Sequence, residues 1–251
     1  MALVTLWHLY PEEMNIYGDR GNVIALTRRL AWRGHEVLVR RLDVGGRLDS
    51  RDCHLVFGGG GQDDQQFAVM ESLRANGDIL RGLAADGVPM LLVCGLYQLF
   101  GHVFRTGDGR ELAGIGALDL TTTAGRERMI GNVVVEAHVA GQSFTVVGFE
   151  NHSGQTYLGK GVRPLGRVLR GGGNNGRDGG EGALDHHIVG TYLHGPILPK
   201  NPKLADLLLA WALQSVGVSE GLAPLDDRLE ARAHDGIVER VMGRRASFGR
   251  A

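Results

Sequence analysis

The stretch Pro89-Met90-Leu91-Leu92-Val93-Cys94-Gly95-Leu96-Tyr97-Gln98 passes from a continuous apolar run to a cysteine, a glycine and a segment with helical character. A short apolar run bounded by turn formers reads as a buried strand, and Leu96 onward suits the first turn of a helix. A cysteine in the turn between them stands at the end of a sheet. The helix N-terminus behind it favours the thiolate. Strand, sharp turn and helix make the layout of a nucleophile elbow, here with Cys in place of Ser. A small buried thiol is the commoner role for a cysteine. Gly95 and the abrupt switch from strand to helix favour the nucleophile.

Upstream, the pattern is strand, helix, strand with short connections. Residues 2–10 read as a strand. A helix follows Tyr17-Gly18-Asp19-Arg20-Gly21-Asn22, with Val23, Leu26, Leu30 and Ala31 on one face and Gly34 as its cap. Residues 35–42 and 52–57 read as further strands, so the unit is a parallel crossover. Next come Gly58-Gly59-Gly60-Gly61-Gln62-Asp63-Asp64 and a helix over 63–75 that should face Phe67, Met70 and Leu73 inward. A phosphate cradle would place Lys and Ser or Thr after the last glycine, and acids stand there instead. The loop suits an oxyanion hole better, with the Gly60 N–H as one donor and the Gly95 N–H as the second. A flexible connector is the plainer alternative. After Gly77-Asp78, the residues Ile79, Leu80, Leu83 and Ala84 form a second amphipathic helix that leads into the cysteine strand. Neighbouring carboxyl ends in such sheets face one crevice.

Downstream, residues 117–123, 130–137 and 143–149 are strand-like. Arg128 lies between the first two, where its guanidinium would hold a substrate carboxylate, although a single arginine is more often solvated surface charge. Glu150-Asn151-His152-Ser153-Gly154 reads as a polar turn. His152 is a secondary candidate, as is Gln98. Residues 171–182 form a long glycine-rich loop. A strand over 186–192 ends in Leu193-His194-Gly195-Pro196, and a histidine at a strand tip suits a general base serving a nucleophile. Helices are expected over 202–216, with Leu204, Leu207, Leu208, Trp211 and Ala212 buried, and over 226–241, where Gly236 weakens the second. The tail, 243–251, is basic and expected to fray.

Composition narrows the function classes. The chain has 251 residues, with 27 Lys+Arg against 28 Asp+Glu, so no basic field points to nucleic acid. Two cysteines, Cys53 and Cys94, make no disulfide framework, which suits a reducing, cytoplasmic setting. Neither a signal peptide nor a bilayer-spanning run is visible. No metal-ligand cluster stands out.

Cys94-Gly95-Leu96-Tyr97-Gln98 together with Tyr192-Leu193-His194-Gly195-Pro196 resembles the class I glutamine amidotransferases of the cobyric acid synthase type. The 17–22 motif, the 58–63 loop, Arg128 with Ile130-Gly131-Asn132, the 151–154 motif and Asn174-Asn175-Gly176 are similar to the GatD-type glutaminase subunits of lipid II isoglutaminyl synthase. The resemblance covers residues 3 to about 214. It implies a flavodoxin-like α/β fold: a mixed, mostly parallel sheet flanked by helices. The amidotransferase domain would occupy 1–216, with 217–251 a helical extension and tail of the same domain. It implies Cys94 as nucleophile, His194 as base and Arg128 on the glutamine α-carboxylate. It further implies no cofactor in this chain and a MurT-like ligase partner carrying ATP and Mg²⁺. That partner would activate the D-glutamate α-carboxyl of lipid II. Two departures stand out. Leu96 replaces a usual glycine and either alters the turn or shapes the pocket entrance. Pro196 stands where most class I members place a catalytic glutamate, so the site is either a Cys–His dyad or takes an acid from elsewhere, the partner included. The competing readings are an amidotransferase for cobyrinate or another carboxylate, and an inactive scaffold of the same fold. The absence of a G-x-x-x-x-G-K-[ST] motif disfavours a fused cobyric-type enzyme, and the presence of Cys94 and His194 disfavours the scaffold.

Overall fold

The computed structural model describes residues 1–243, so the tail beyond Gly243 lies outside the described residues. In chain order, the first half contains β1 (Leu3–Leu9), α1 (Arg20–Ala31), β2 (Glu36–Leu42), β3 (Leu55–Gly58), α2 (Asp63–Ala75) and α3 (Gly77–Ala85). Then follow β4 (Met90–Val93), α4 (Gly95–Leu99), β5 (Val103–Arg105), β6 (Glu111–Ala113), β7 (Leu120–Val139) and β8 (Gln142–Leu158). The last elements are β9 (Gly166–Arg170), β10 (Gly180–Glu181), β11 (Ala183–Asp185), β12 (Ile188–Thr191), α5 (Pro202–Ser215) and α6 (Arg228–Met242).

The first sheet has the order β11-β12-β4-β3-β1-β2. All of its neighbours pair parallel except β11 with β12. Its central strands β3 and β4 are buried at every residue, as continuous apolar runs covered on both faces should be. The expected α/β fold, a mostly parallel sheet flanked by helices, is the one observed. The loops after β1, β3, β4 and β12 all leave from carboxyl ends of parallel strands, and they carry Asp19, Gly60, Cys94 and His194.

The second sheet was not foreseen. Its order is β10-β9-β7-β5-β6, with β8 paired to β7. Residues 150–154, expected as a polar turn, lie inside β8, where Asn151 and His152 pair with Ile130 and Met129 of β7. The register slips between Ala124 and Met129, so Arg126 and Arg128 sit in a bulge of one long strand rather than in a loop. Phe149 and His194 exchange backbone hydrogen bonds of 3.2 and 2.9 Å, which ties this sheet to the first.

Helix α2 has the expected bounds but a rotated face. Gln66, Val69, Ser72 and Leu73 are buried, and Phe67 and Met70 are half-buried. The rotation turns Gln66 toward the site. In α5 Leu207 is likewise only half-buried, while Leu204, Leu208, Trp211 and Ala212 are buried as expected. Helix α6 continues through Gly236. Polar contacts hold it to the main body. Arg29 bridges Asp206 and Asp227 at 2.7 and 2.6 Å, and His234 bonds Thr145 Oγ1 at 2.7 Å.

Candidate active site

Cys94 follows β4 with φ 50° and ψ −103°, a conformation that L residues rarely adopt. Its N–H donates to the Thr191 carbonyl at 2.8 Å, and its carbonyl accepts the Gln98 N–H at 3.0 Å. β12 on one side and α4 on the other therefore hold a turn that costs about 1–3 kcal/mol in backbone strain. Strain of this kind persists where it lifts a reactive group off a sheet. Helix α4 is only five residues long, so its dipole gives little of the expected support. The charge facing the thiol comes instead from His194.

A methyl group placed on Gly60 would lie 2.8 Å from His194 Cε1 and 3.0 Å from Cys94 Cβ. Nucleophile and base therefore flank this glycine, and no side chain fits between them. His194 is 1% exposed, and its Nδ1 lies 3.4 Å from Asp19 Oδ1. Asp19 is fully buried, and its Oδ2 accepts the Gly60 N–H at 2.8 Å. Burial pushes the His194 pKa down, but Cys94 and Asp19 outweigh it and raise the imidazolium above its ordinary range. Nε2 makes no hydrogen bond of good geometry among the described residues, so charge is the larger part of what Cys94 contributes to the ring and a side-chain hydrogen bond the smaller.

The first turn of α1 delivers Asp19 to the ring. A Cβ on Gly21 would meet Pro196 Cγ at 2.2 Å, and Asn22 Oδ1 accepts the Leu198 N–H at 2.9 Å. Only glycine allows this approach. The acid missing after His194 thus has a counterpart within the same chain, at the other end of the sequence.

The oxyanion expectation needs one correction. The Gly60 N–H is already committed to Asp19 and is not free to receive a developing charge. The Gly61 nitrogen lies close by: a Cβ on Gly95 would stand 3.1 Å from it. Neither the Gly61 nor the Gly95 N–H has a partner among the described residues. Leu96 is fully buried, with its Cγ 2.9 Å from where a Cβ on Gly58 would lie. It packs behind the turn rather than at the pocket entrance.

A cavity of about 430 Å³ opens beside Cys94, within the usual range for small-molecule sites, and Gln66, Gln98, Arg128 and His152 line it. Arg128 donates to the side-chain and backbone oxygens of Asn151. Asn151 Nδ2 donates to the Tyr17 hydroxyl. Tyr17, at φ 59°, sets its ring edge-on to His194 with centroids 4.9 Å apart. Gln98 Oε1 accepts from Gln66 Nε2 at 3.0 Å, and Gln98 Nε2 donates to the Tyr192 hydroxyl at 3.0 Å. The structure therefore brings Cys94, His194, Gly60, Gly95, Arg128, His152 and Gln98 together. It adds Asp19, Gly61, Gln66 and Tyr17, which sequence reasoning did not assign to the site. Among the described residues, no cluster of three or more His, Cys, Asp or Glu could hold a metal ion, and no helix is long and apolar enough to cross a membrane.

The chain belongs to the CobB/CobQ-like glutamine amidotransferase family, whose domain matches residues 5–202. It is 37% identical over 241 residues to the GatD subunit of lipid II isoglutaminyl synthase (glutamine-hydrolyzing) from Staphylococcus aureus, covering 96% of this chain and 97% of that one. The Streptococcus pneumoniae GatD subunit is 34% identical, covering 82% and 79%. A cobyric acid synthase from Pelotomaculum thermopropionicum is also 34% identical, but the match spans 68% of this chain and only 34% of that protein. Among solved structures, PurLQS from Thermotoga maritima superposes with a TM-score of 0.54 at 15% identity, covering 85% and 97% of the two chains. A glutamine amidotransferase from the same organism gives 0.52 at 14% identity, covering 96% and 97%. At these identities the two structures establish the fold alone.

Proposed function

We infer that this chain is a cytoplasmic glutaminase subunit that hydrolyses L-glutamine and passes ammonia to a MurT-like, ATP-dependent ligase, which amidates the D-glutamate α-carboxyl of lipid II. The observation that carries the chemistry is the strained Cys94 flanked across Gly60 by His194. The likeness to the two GatD subunits, near full-length for the Staphylococcus aureus one, supports the acceptor. In this reading the Cys94 thiolate attacks the side-chain amide carbon of glutamine, and the oxyanion forms between the Gly61 and Gly95 N–H groups. The His194 imidazolium gives its proton to the leaving nitrogen as the C–N bond breaks, releasing ammonia and a thioester. His194, now neutral, takes a proton from water, the hydroxide attacks the thioester, and glutamate leaves with the thiolate restored. Asp19 keeps the ring oriented through Nδ1. Arg128 holds the glutamine α-carboxylate from the cavity mouth. ATP and Mg²⁺ belong to the ligase.

The experiment is ammonia release from glutamine by the chain alone and with the ligase, followed by amidation of lipid II with glutamine and ATP. Cys94→Ala should abolish both activities and still co-purify with the ligase. Amidation by this chain alone would overturn the two-subunit reading. A complex that amidates a different carboxylate and never lipid II would overturn the acceptor and leave the glutaminase chemistry in place.

A further inference from the structure

Two buried acceptors on residues that line the cavity with Cys94 have no hydrogen-bond partner among the described residues. His152 is 4% exposed, and its Nδ1 lies 2.8 Å from the Gly154 carbonyl. A carbonyl only accepts, so Nδ1 carries the proton and Nε2 keeps a lone pair. That Nε2 has no partner among the described residues. The ring lies flat on Tyr192, with centroids 3.6 Å apart and planes within 1°. Burial pushes its pKa down to about 4, and the nearby His194 and Arg128 charges act in the same direction, so it stays neutral.

Gln66 is 2% exposed. Its Nε2 faces two acceptors, the Gly61 carbonyl at 3.3 Å and Gln98 Oε1 at 3.0 Å. The carbonyl fixes which end of the amide points there, leaving Oε1 with no partner among the described residues. The orientation is anchored further back. Gln98 donates to the Tyr192 hydroxyl, which lies 2.6 Å from Thr156 Oγ1, itself 2.7 Å from Thr122 Oγ1. Neither side chain can readily turn to satisfy itself. An unmet buried acceptor costs about 1–3 kcal/mol, so the two together call for a donor group from outside.

We propose that His152 Nε2 and Gln66 Oε1 form an acceptor-only clasp that admits a substrate carboxamide and rejects the corresponding carboxylate. The inference rests on the glutaminase reading of the same cavity. A primary amide presents two N–H donors on one nitrogen, one for each lone pair. A carboxylate presents only lone pairs and a negative charge at the same place. Glutamine therefore satisfies both orphans, while glutamate leaves them unpaired and adds repulsion. A site that demands a donor discriminates far more strongly than one that measures size. The same clasp keeps product glutamate from occupying the site after the thioester is hydrolysed. His152 and Gln66 would act on substrate choice, separately from His194, which moves protons.

The test uses the Cys94→Ala protein, which holds glutamine without turning it over, and measures L-glutamine and L-glutamate dissociation constants by calorimetry. Two further variants are built on it. His152→Phe keeps the stack on Tyr192 and removes the lone pair, and Gln66→Met keeps length and removes the carbonyl. In each, the glutamine-over-glutamate preference should fall at least tenfold, mainly through weaker glutamine binding. Because the variants lie on different elements, misfolding of one leaves the other as the test. An unchanged preference in the folded variants would overturn the clasp alone. Failure of Cys94→Ala itself to bind glutamine would overturn the glutaminase reading and the clasp with it.

Discussion

His194 and His152 are both more than nine-tenths buried, both stand by Cys94, and both have an Nε2 without a hydrogen bond of good geometry among the described residues. They are pushed in opposite directions. His194 ends the parallel sheet, where burial is outweighed by Cys94 and Asp19, and its pKa is raised. His152 lies in antiparallel β8, where burial dominates and a backbone carbonyl is its hydrogen-bond partner, and it is pushed down to about 4. Burial alone makes a histidine a neutral acceptor. A buried anion on each side makes it a proton carrier. The contrast divides the site into a chemical half, built by the parallel sheet, and a recognition half, built by the bulged hairpin.

The most severe break in the chemical half is His194→Ala. It removes both the proton donor to ammonia and the charge facing the thiolate, and a loss of about 10³–10⁴-fold in glutamine hydrolysis is expected. Alkylation of Cys94 by iodoacetamide near pH 7 should slow in parallel. Labelling and turnover both at wild-type levels would remove His194 from the mechanism.

Asp19→Asn is the sharper probe, because the side chain keeps its size and can still accept from the Gly60 N–H. The expected loss is roughly 10²–10³-fold in kcat with little change in KM, since Asp19 reaches the substrate only through the ring. A merely structural role would not move the pH profile. A positioning role would, because losing the anion lowers the His194 pKa and brings the alkaline limb to lower pH. An unchanged rate and profile would reduce the site to a dyad.

The recognition half is read through stability against pH. His152 binds no proton in the folded chain until about pH 4, whereas the unfolded chain binds one from about 6.5 downward. The unfolded state therefore holds more protons in this window, and stability falls as pH falls through it. His8, also pushed down to about 4 by burial, adds the same sign. Glu181 opposes them. Burial raises it to about 7, so between about 4.5 and 7 the folded chain holds the extra proton and stability falls as pH rises. Replacing His152 by Phe should flatten the stability profile between pH 6.5 and 4 by about 1.4 kcal/mol per pH unit, one proton's worth. Urea unfolding at several pH values measures the difference directly. Parallel profiles would mean that His152 is already protonated in the fold, and no acceptor.

The same division explains what the sequence displayed. The parallel sheet was legible because its central strands β3 and β4 are continuous apolar runs running into glycine or cysteine, and the elbow follows from those endings. The hairpin was not. Arg126 to Arg128 and Glu150 to Gly154 are polar because they line a cavity or bulge, and polarity inside a strand reads as a turn. Gln66 escaped notice because the apolar count favoured Phe67 and Met70 as the inner face of α2, whereas the site turned the helix toward its amide. Asp19 was in view as part of a motif, but its partner His194 is 175 positions away. Tertiary contacts such as the close packing of Gly21 on Pro196 and the Asn22–Leu198 hydrogen bond bring them together, and no local pattern encodes that.

The smallest expected effect compares the two cysteines of the first sheet and its loops. Cys53 is 5% exposed and Cys94 is 8% exposed, so exposure alone does not distinguish them. Their surroundings do. Cys53 precedes β3 among apolar side chains, and burial pushes its thiol up to about 12, with the neighbouring Asp52 acting in the same direction. At neutral pH it is a packed, protonated thiol that does not react. Cys94 opens onto the cavity and faces an imidazolium. Replacing Cys53 by Ala removes one sulfur atom from the core, and the expected cost is about 1 kcal/mol of stability with turnover unchanged. Alkylation of the native protein at pH 7 should therefore label the wild type and Cys53→Ala to the same extent, one group per chain, and Cys94→Ala not at all. Labelling of native Cys94→Ala at a comparable rate would show that the fold does not protect Cys53, and the link between burial and inertness would fail for this sheet.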